Sequence, residues 1–250
     1  MSGHSKWSTI KRKKAANDAK RGNIFTRLAR EIAVAAREGG GDPETNFALR
    51  LAVDRAKTSN MPKDNIERAI RRGTGEDKEG EQLEQVVYEG YGPNGAALMI
   101  EVITDNRNRT VADIRHLLGR SGGNMAEAGS VAWQFQRAAY FSVPAAGHDA
   151  EKIFEMAVEA GAEDVTVDED IEILAPVEQF KAINDRLGQA GVEPDEAELR
   201  WVPKTPMPLD SQETVQVMRV IESLEELDDV TQVFSNVEVT EEAVELLETA

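Results

Sequence analysis

The spacing of hydrophobic residues divides the chain into a helical first third and a mixed remainder. Up to about residue 73, apolar positions recur every three or four residues, the period of helices that bury one face. From about residue 86, segments appear in which apolar and polar residues alternate, which is typical of strands. This change of period predicts an N-terminal helical bundle followed by an α+β portion.

Capping residues and glycines set the expected limits of the bundle helices. A first helix is predicted over residues 8–19, and Asn23 is the expected N-cap of a second, which ends at residues 39–41. The dipeptides Asp42-Pro43 and Met61-Pro62 are expected to open the third and fourth helices. The polar stretch 74–84 reads as a linker.

The remaining pattern predicts strand pairs separated by single helices. Strands are expected at residues 86–91, 97–104, 131–135, 140–143, 165–167, 171–174, 197–202 and 230–239. Helices are expected at residues 149–160, 177–190, 211–227 and 241–247, and after a capping box formed by Thr110 and Asp113. Three prolines within residues 203–208 predict a second linker. This order fits α+β layers of ferredoxin-like character, with helices on one face of each sheet.

Composition excludes several classes of function. The 250 residues contain no cysteine, and the three histidines are scattered without metal-ligand spacing, so no metal site or cofactor is expected. No apolar run approaches the roughly 18 residues of a membrane span, and the basic N-terminus lacks a signal-peptide core, which predicts a cytoplasmic protein with no membrane association. No nucleophile or acid–base constellation is evident, so an enzyme is not expected. The acidic runs 163–170 and 222–229 are interpreted as solvated charge.

Charge is distributed unevenly. Through Gly75 the chain holds 17 basic and 8 acidic residues, whereas the remainder holds 12 and 38. The positive charge is densest near the N-terminus. The candidate nucleic-acid-binding residues there are Lys6, Trp7, Lys11, Arg12, Lys13, Lys14, Lys20 and Arg21. Such a segment usually meets phosphate or another acidic partner, although a basic tail that only aids solubility is the simpler alternative.

Two details of this interface have alternative explanations. Trp7 is placed to stack on an exposed base, but it is equally suited to packing on the bundle. The polar turn 105–109 offers Arg107, Asn108 and Arg109 as a second contact for nucleic acid, and a solvent-facing turn with an Asn cap explains it equally well.

Several longer motifs resemble those of the YebC/PmpR family across essentially the whole chain. The motifs are residues 3–7 (GHSKW), 10–11 (IK), 13–15 (KKA), 18–22 (DAKRG), 60–70 (NMPKDNIERAI), 88–93 (YEGYGP), 104–110 (TDNRNRT) and 122–124 (GGN). The resemblance implies a helical bundle and two α/β domains, one inserted in the other. The implied limits are residues 1–78 for the bundle, 79–130 with 205–250 for a discontinuous domain, and 131–204 for the inserted domain.

The same resemblance implies a role in gene expression and no catalytic residues. Family members are described as DNA-binding transcriptional regulators, mitochondrial relatives resemble translational activators of cytochrome c oxidase subunit I, and some bacterial ones resemble ribosome-associated factors that relieve stalling on proline-rich peptides. The leading hypothesis is therefore a non-enzymatic regulator that binds DNA or ribosomal RNA through its basic N-terminal helix, with the ribosome as a candidate partner. The alternative from another class is an adaptor whose acidic domains bind a basic protein.

Overall fold

The computed structural model describes residues 18–76 and 83–249, and for residues 18–23 and 248–249 it describes the backbone alone. In chain order the helices are α1 (Asp18–Gly39), α2 (Phe47–Thr58), α3 (Lys63–Thr74), α4 (Arg107–Arg120), α5 (Ala150–Glu159), α6 (Phe180–Gln189), α7 (Ser211–Glu225) and α8 (Glu241–Thr249). The strands are β1 (Glu84–Tyr91), β2 (Ala97–Thr104), β3 (Asn124–Met125), β4 (Phe135–Pro144), β5 (Asp164–Val167), β6 (Asp170–Ala175), β7 (Glu196–Pro203) and β8 (Val230–Ser235). The α+β class predicted from the sequence is confirmed.

Helices α1, α2 and α3 pack around their own apolar core. Leu28 and Ile32 of α1 meet Leu49 of α2 and Ile66 of α3 in this cluster. The helices α1 and α3 cross very closely at Gly73, where an added Cβ would lie 2.2 Å from the Ala33 carbonyl oxygen. A side chain there would push the two helices apart, so glycine is needed at this crossing for packing.

Two predicted helix starts in the bundle are wrong. Helix α1 passes through Asn23 without a break, and the predicted helix 8–19 lies outside the described residues except at its last two positions. An isolated Gly22 or Asn23 costs only about 1 kcal/mol in a helix, which the buried face that follows offsets. Asp42 caps a turn, accepting from the Glu44 amide at 3.0 Å, and the true N-cap of α2 is Asn46.

The first sheet has the strand order β3-β1-β2-β8, with all pairs antiparallel. Strand β2 is buried along its whole length, and α7 covers the sheet through Val217, Ile221 and Leu224. Because β8 pairs with β2, the chain returns to this sheet after building the second one. The domain limits drawn from the sequence stay a prediction.

The second sheet has the order β5-β6-β4-β7, again antiparallel. Together with α5 and α6 this is the β-α-β-β-α-β arrangement of a ferredoxin-like fold. Alternate strand residues such as Phe141 and Ile173 pack under the two helices with Phe180. The opposite face carries buried polar residues, including Glu198 and Arg200, and it meets the rest of the molecule.

Two predictions in the α+β portion are also wrong. Thr110 and Asp113 do not form a capping box, because α4 begins four residues earlier with Asn106 as its N-cap, accepting from the Arg109 amide at 3.1 Å. The alternation that begins at Val131 does not mark a strand. Residues Ala132–Gln134 form a 3₁₀ turn held by Glu89, whose carboxylate accepts from the Gly129, Val131 and Ala132 amides.

Candidate nucleic-acid interface

The densest part of the predicted interface precedes the described chain. Lys6, Trp7, Lys11, Arg12, Lys13 and Lys14 lie outside the described residues, so their assignment stays a prediction. Lys20 and Arg21 lie in the first turns of α1, where the backbone alone is described. The described residues show how α1, which carries Lys20 and Arg21 in its first turns, is attached to the rest of the molecule.

Two arginines anchor α1 to the loop between α7 and β8. Arg27 Nη1 donates to the Glu225 carbonyl oxygen at 2.5 Å, and Arg30 Nη1 donates to the Asp228 carbonyl oxygen at 2.9 Å. Arg30 also forms an ion pair with Asp229 at 2.9 Å. Since α1 is continuous, its N-terminal turns extend from this anchored part, and about 14 Å of helix separates Arg21 from Arg30.

Asp229 is the centre of this attachment. Its carboxylate accepts from Arg109 Nη2 at 2.8 and 3.1 Å, from Thr110 Oγ1 at 2.6 Å and from Thr104 Oγ1 at 3.2 Å. Together with Arg30, these donors join α1, the end of β2 and the start of α4 at one buried side chain. The interpretation of the acidic run 222–229 as solvated charge is therefore wrong at Asp229.

The charge states at this junction are firmly set. Burial would raise the pKa of Asp229, but hydrogen bonds from Thr110 and Arg109 outweigh it and the pKa is lowered. The hydrogen bond from Arg109 likewise lowers the pKa of Asp105. The pKa of Arg109 is raised by its bonds to Asp229 and then to Asp105. Both carboxylates and the guanidinium are therefore charged at neutral pH.

The predicted second contact lies in the first turn of α4, beside the anchored part of α1. The guanidinium of Arg109 binds two carboxylates, those of Asp105 and Asp229, and thereby positions α4. The Arg109 side chain is also partly exposed. The Arg107 side chain is 60% exposed and pairs with Glu84, and Asn108 is exposed. The structure thus brings Arg107 and Asn108 to a surface close to α1, while their contact with nucleic acid stays a prediction.

Further cations lie on the last two turns of α3. Arg68 and Arg71 are exposed and three residues apart, so they share a helix face. Neither takes part in an ion pair within the described part of the chain. These side chains place positive charge on the outer surface of the same bundle that carries Lys20 and Arg21.

A cleft of about 970 Å³ lies between the bundle and the two sheets. The charged side chains that line it are largely paired with one another, as in Lys57 with Asp54 and Lys181 with Asp185. Across residues 18–76 and 83–249, acidic and histidine side chains form no group of three suited to a metal ion. In the same ranges, no helix combines the length and apolarity needed to cross a membrane.

A second charged junction lies at the inner end of this cleft. Arg55 of α2 pairs with Glu31 of α1 at 3.1 Å and approaches Glu198 of β7 at 3.9 Å. Glu198 in turn accepts from Arg200 at 3.0 Å and from Gln232 of β8 at 2.9 Å. One carboxylate therefore links the bundle and both sheets.

Sequence reasoning missed the residues that hold the units together. Asp229 and Glu198 each stand within acid-rich stretches whose composition favours solvated charge. The one local signal is that Glu198 and Arg200 alternate with apolar residues in β7, so they share the face opposite the helix-covered one. Which cation each carboxylate meets depends on long-range contacts that no local pattern reports.

The fold and the charge distribution define the class of protein: a basic helical bundle fixed onto an acidic pair of α+β units. The chain belongs to the TACO1/YebC family. Residues 5–76 match the family's N-terminal domain, and residues 83–237 match its second and third domains.

Full-length relatives share about half of the sequence. A protein of Geotalea uraniireducens is 49% identical over 98% of this chain and 99% of its own, and one of Acidithiobacillus ferrooxidans is 51% identical over 99% of each. Both are named "Probable transcriptional regulatory protein". The crystal structure of a conserved hypothetical protein from Aquifex aeolicus is 44% identical, with a TM-score of 0.82 over 90% of this chain and 93% of that one.

Proposed function

We propose that this protein is a non-enzymatic regulator of gene expression that binds nucleic acid through the basic end of its bundle, with duplex DNA as the first target. The observation that carries the proposal is the charge division, 17 bases against 8 acids through Gly75 and the reverse beyond it. Dense lysine and arginine neutralise backbone phosphates and release counterions. The names of the full-length relatives support a role in transcription.

The described residues support this proposal through the anchoring of α1. Arg27 and Arg30 fix the middle of the helix to the α7–β8 loop. A rigid helix presents its basic N-terminal turns at a fixed place, which lowers the entropy lost on binding. Arg68 and Arg71 add exposed positive charge to the bundle.

A second candidate is binding to ribosomal RNA in a translation factor. The acidic remainder of the chain favours it, because 38 acids against 12 bases would repel a long duplex alongside the body. A basic end entering a ribonucleoprotein particle would meet phosphate without placing the acidic units on it. The target distinguishes the two candidates.

The test compares the wild type with a variant in which Lys11, Lys13 and Lys14 are all changed to Ala. Binding to duplex DNA and cosedimentation with ribosomes are measured across a salt series. If each lysine meets one phosphate of a duplex, the slope of log affinity against log salt becomes shallower by about 2.7, at about 0.9 per contact. A control variant with the same loss of charge has three exposed lysines on and beside the second sheet changed together to Ala: Lys152, Lys181 and Lys204.

The control triple variant should bind as the wild type does. Nucleic-acid binding as the function is wrong if neither target is bound, or if the N-terminal triple variant keeps both affinity and slope. Ribosome binding without specific duplex binding would support the second candidate over the first.

A further inference from the structure

An unpartnered apolar patch lies on the outer side of the second sheet. Six large hydrophobic side chains are exposed in the described part of the chain, and three of them lie on α5 and β5: Phe154 and Val158 of α5 at 45% and 49%, and Val167 of β5 at 46%. Scattered exposed apolar residues are ordinary, whereas a contiguous group marks a contact surface.

The helix geometry places Phe154 and Val158 together on one flank of α5. They are four residues apart and so adjacent on the helix surface, next to the buried stripe that contains Ile153 and Ala157. Glu159 lies on the opposite flank, where it pairs with Arg186 of α6 at 3.2 Å. Phe154 and Val158 therefore face away from α6.

The strand order places Val167 beside them. Strand β5 is the edge of the sheet, and α5 packs against it. Because β5 runs parallel to β4 and α5 connects the two, the start of α5 lies over the end of β5, where Val167 stands. Val167 shares a strand face with Val165, which packs into the core under the helices. Phe154 and Val167 are thus neighbours at one corner of the sheet.

The free edge of β5 adds a second binding element to the patch. Among the strands of residues 18–76 and 83–249, β5 pairs on one side with β6, and none lies on its outer side. An open edge presents backbone amides and carbonyls to an incoming extended segment. Main-chain bonds to the strand and side-chain contacts to the apolar flank together are how peptides add to sheets.

The charge around the patch specifies the occupant. Exposed acidic residues surround the patch on the helix and at both ends of the strand: Glu151, Glu155, Glu163, Asp164, Asp168 and Glu169. Lys152 is the single basic residue of α5. A nucleic acid would be repelled, and an acidic peptide likewise. An extended segment with alternating basic and apolar residues complements both the rim and the patch.

We propose that this face binds a basic, extended segment of a protein partner, which adds to β5 as a strand and buries its apolar side chains against Phe154, Val158 and Val167. This site is separate from the basic bundle, so it is independent of the proposed nucleic-acid binding. A protein with both surfaces joins a phosphate backbone at one end to a basic protein at the other.

The test uses the full chain and a fluorescent synthetic peptide in which Lys and Val alternate, with binding followed by anisotropy. The double substitution Phe154→Ser with Val158→Ser should weaken binding at least about tenfold, because buried side chains of this size contribute that much. Val87→Ser, at a similarly exposed valine of β1, is the matched control and should leave binding unchanged. Phe154, Val158 and Val87 are all exposed, and unchanged unfolding curves would show that the variants fold.

Two further peptides separate strand addition from simple charge attraction. One has the same composition with all lysines before all valines, and the other alternates Glu and Val; both should bind at least about tenfold more weakly. The proposal is overturned if the alternating Lys–Val peptide does not bind, if the block peptide binds equally, or if the double variant keeps its affinity. It is also overturned if the wild type self-associates in sedimentation and the double variant does not, since the occupant is then a second copy.

Discussion

Two charged junctions attach the helical bundle to the rest of the molecule, and they are built differently. At the first, two carboxylates, Asp229 and Asp105, meet two guanidinium groups, Arg30 and Arg109, and two threonine hydroxyls complete the contacts of Asp229. At the second, Arg55 stands between Glu31 and Glu198. At the first junction four side chains donate to Asp229, whereas the second leaves buried guanidinium nitrogens without hydrogen-bond partners among the described residues.

The second junction belongs to a larger charged cluster. Glu31, Glu101, Glu196 and Glu198 face Arg55, Arg137 and Arg200, and Arg27 also acts on Glu31. Arg55 Nε and Arg200 Nη1 are buried and have no hydrogen-bond partner among the described residues. Ion pairs out of water repay their desolvation only with full geometry. The comparison indicates that the first junction fixes the bundle and that the second contributes less net stability.

The largest effect is expected from Arg55→Gln. The substitution leaves Glu31 and Glu198 close together with their common cation removed, and breaking a buried pair in this way costs about 3–5 kcal/mol. Because Arg55 is partly exposed, we expect the lower end of this range in the free energy of unfolding, measured with denaturant. Arg50→Gln, on the same helix and bonded to the Pro43 and Glu44 carbonyls, is the control and should cost less. Equal losses would show that the shared cation is not special.

A smaller effect is expected from Asp229→Asn. The amide keeps the shape and one acceptor, but it removes the charge that Arg30 and Arg109 share, a loss of about 1.5–3 kcal/mol for a charged hydrogen-bonding group. Both arginines reach solvent, which limits the cost. The free energy of unfolding should fall by this amount. The control Asp105→Asn removes an exposed ion pair with Arg109 and should lower the free energy of unfolding by at most about 1 kcal/mol. A similar loss for both would contradict the central place of Asp229.

The pattern of the sequence predicts the elements well and the junctions poorly. Strand β2 and helix α7 stand close to their predicted limits, since burial on one or both faces imposes a clear period on each. Helix starts are less predictable, as at α4, where Asn106 caps the helix four residues before the expected Thr110. Several nearby polar residues can serve as an N-cap, and tertiary contacts to Thr110 decide among them.

In the candidate site, too, the sequence predicts one part, the basic segment, and misses the contacts that anchor it. The basic segment is evident from composition, because charge density is a local property of the chain. The pairing of Arg109 with Asp229 spans 120 residues, and that of Arg27 with the Glu225 carbonyl spans 198. Such partners become neighbours through the return of β8 to the first sheet. A single sequence carries no local signal for that contact.

The smallest change in stability, and one of opposite sign, is expected from Glu31→Gln. Burial raises the pKa of Glu31, with Glu101 and Glu198 adding to the effect, although Arg55 lowers it. The charged form is therefore disfavoured in the folded protein, and a neutral amide removes that cost. At pH 7 the variant should be as stable as the wild type or more stable, by up to about 1 kcal/mol. A loss of 3 kcal/mol or more, as for Arg55→Gln, would remove the asymmetry between the two members of this pair.

The difference in unfolding free energy between Glu31→Gln and the wild type should depend on pH, and this dependence gives the sharpest comparison between the two junctions. An acid with a raised folded pKa gives stability that is present below its unfolded pKa, near 4.3, and lost as pH rises through the folded value. The advantage of Glu31→Gln should therefore shrink as pH falls from 7 toward 4, by about 1.4 kcal/mol for each unit between the two pKa values. Asp229 has a lowered pKa, so its contribution is kept above pH 4 and lost only below its unfolded value of about 3.9. The unfolding free energies of both variants are measured against the wild type from pH 7 down to pH 4. The difference should change for Glu31→Gln and stay constant for Asp229→Asn, and the opposite result would reverse the assignment of the fixed and the weaker junction.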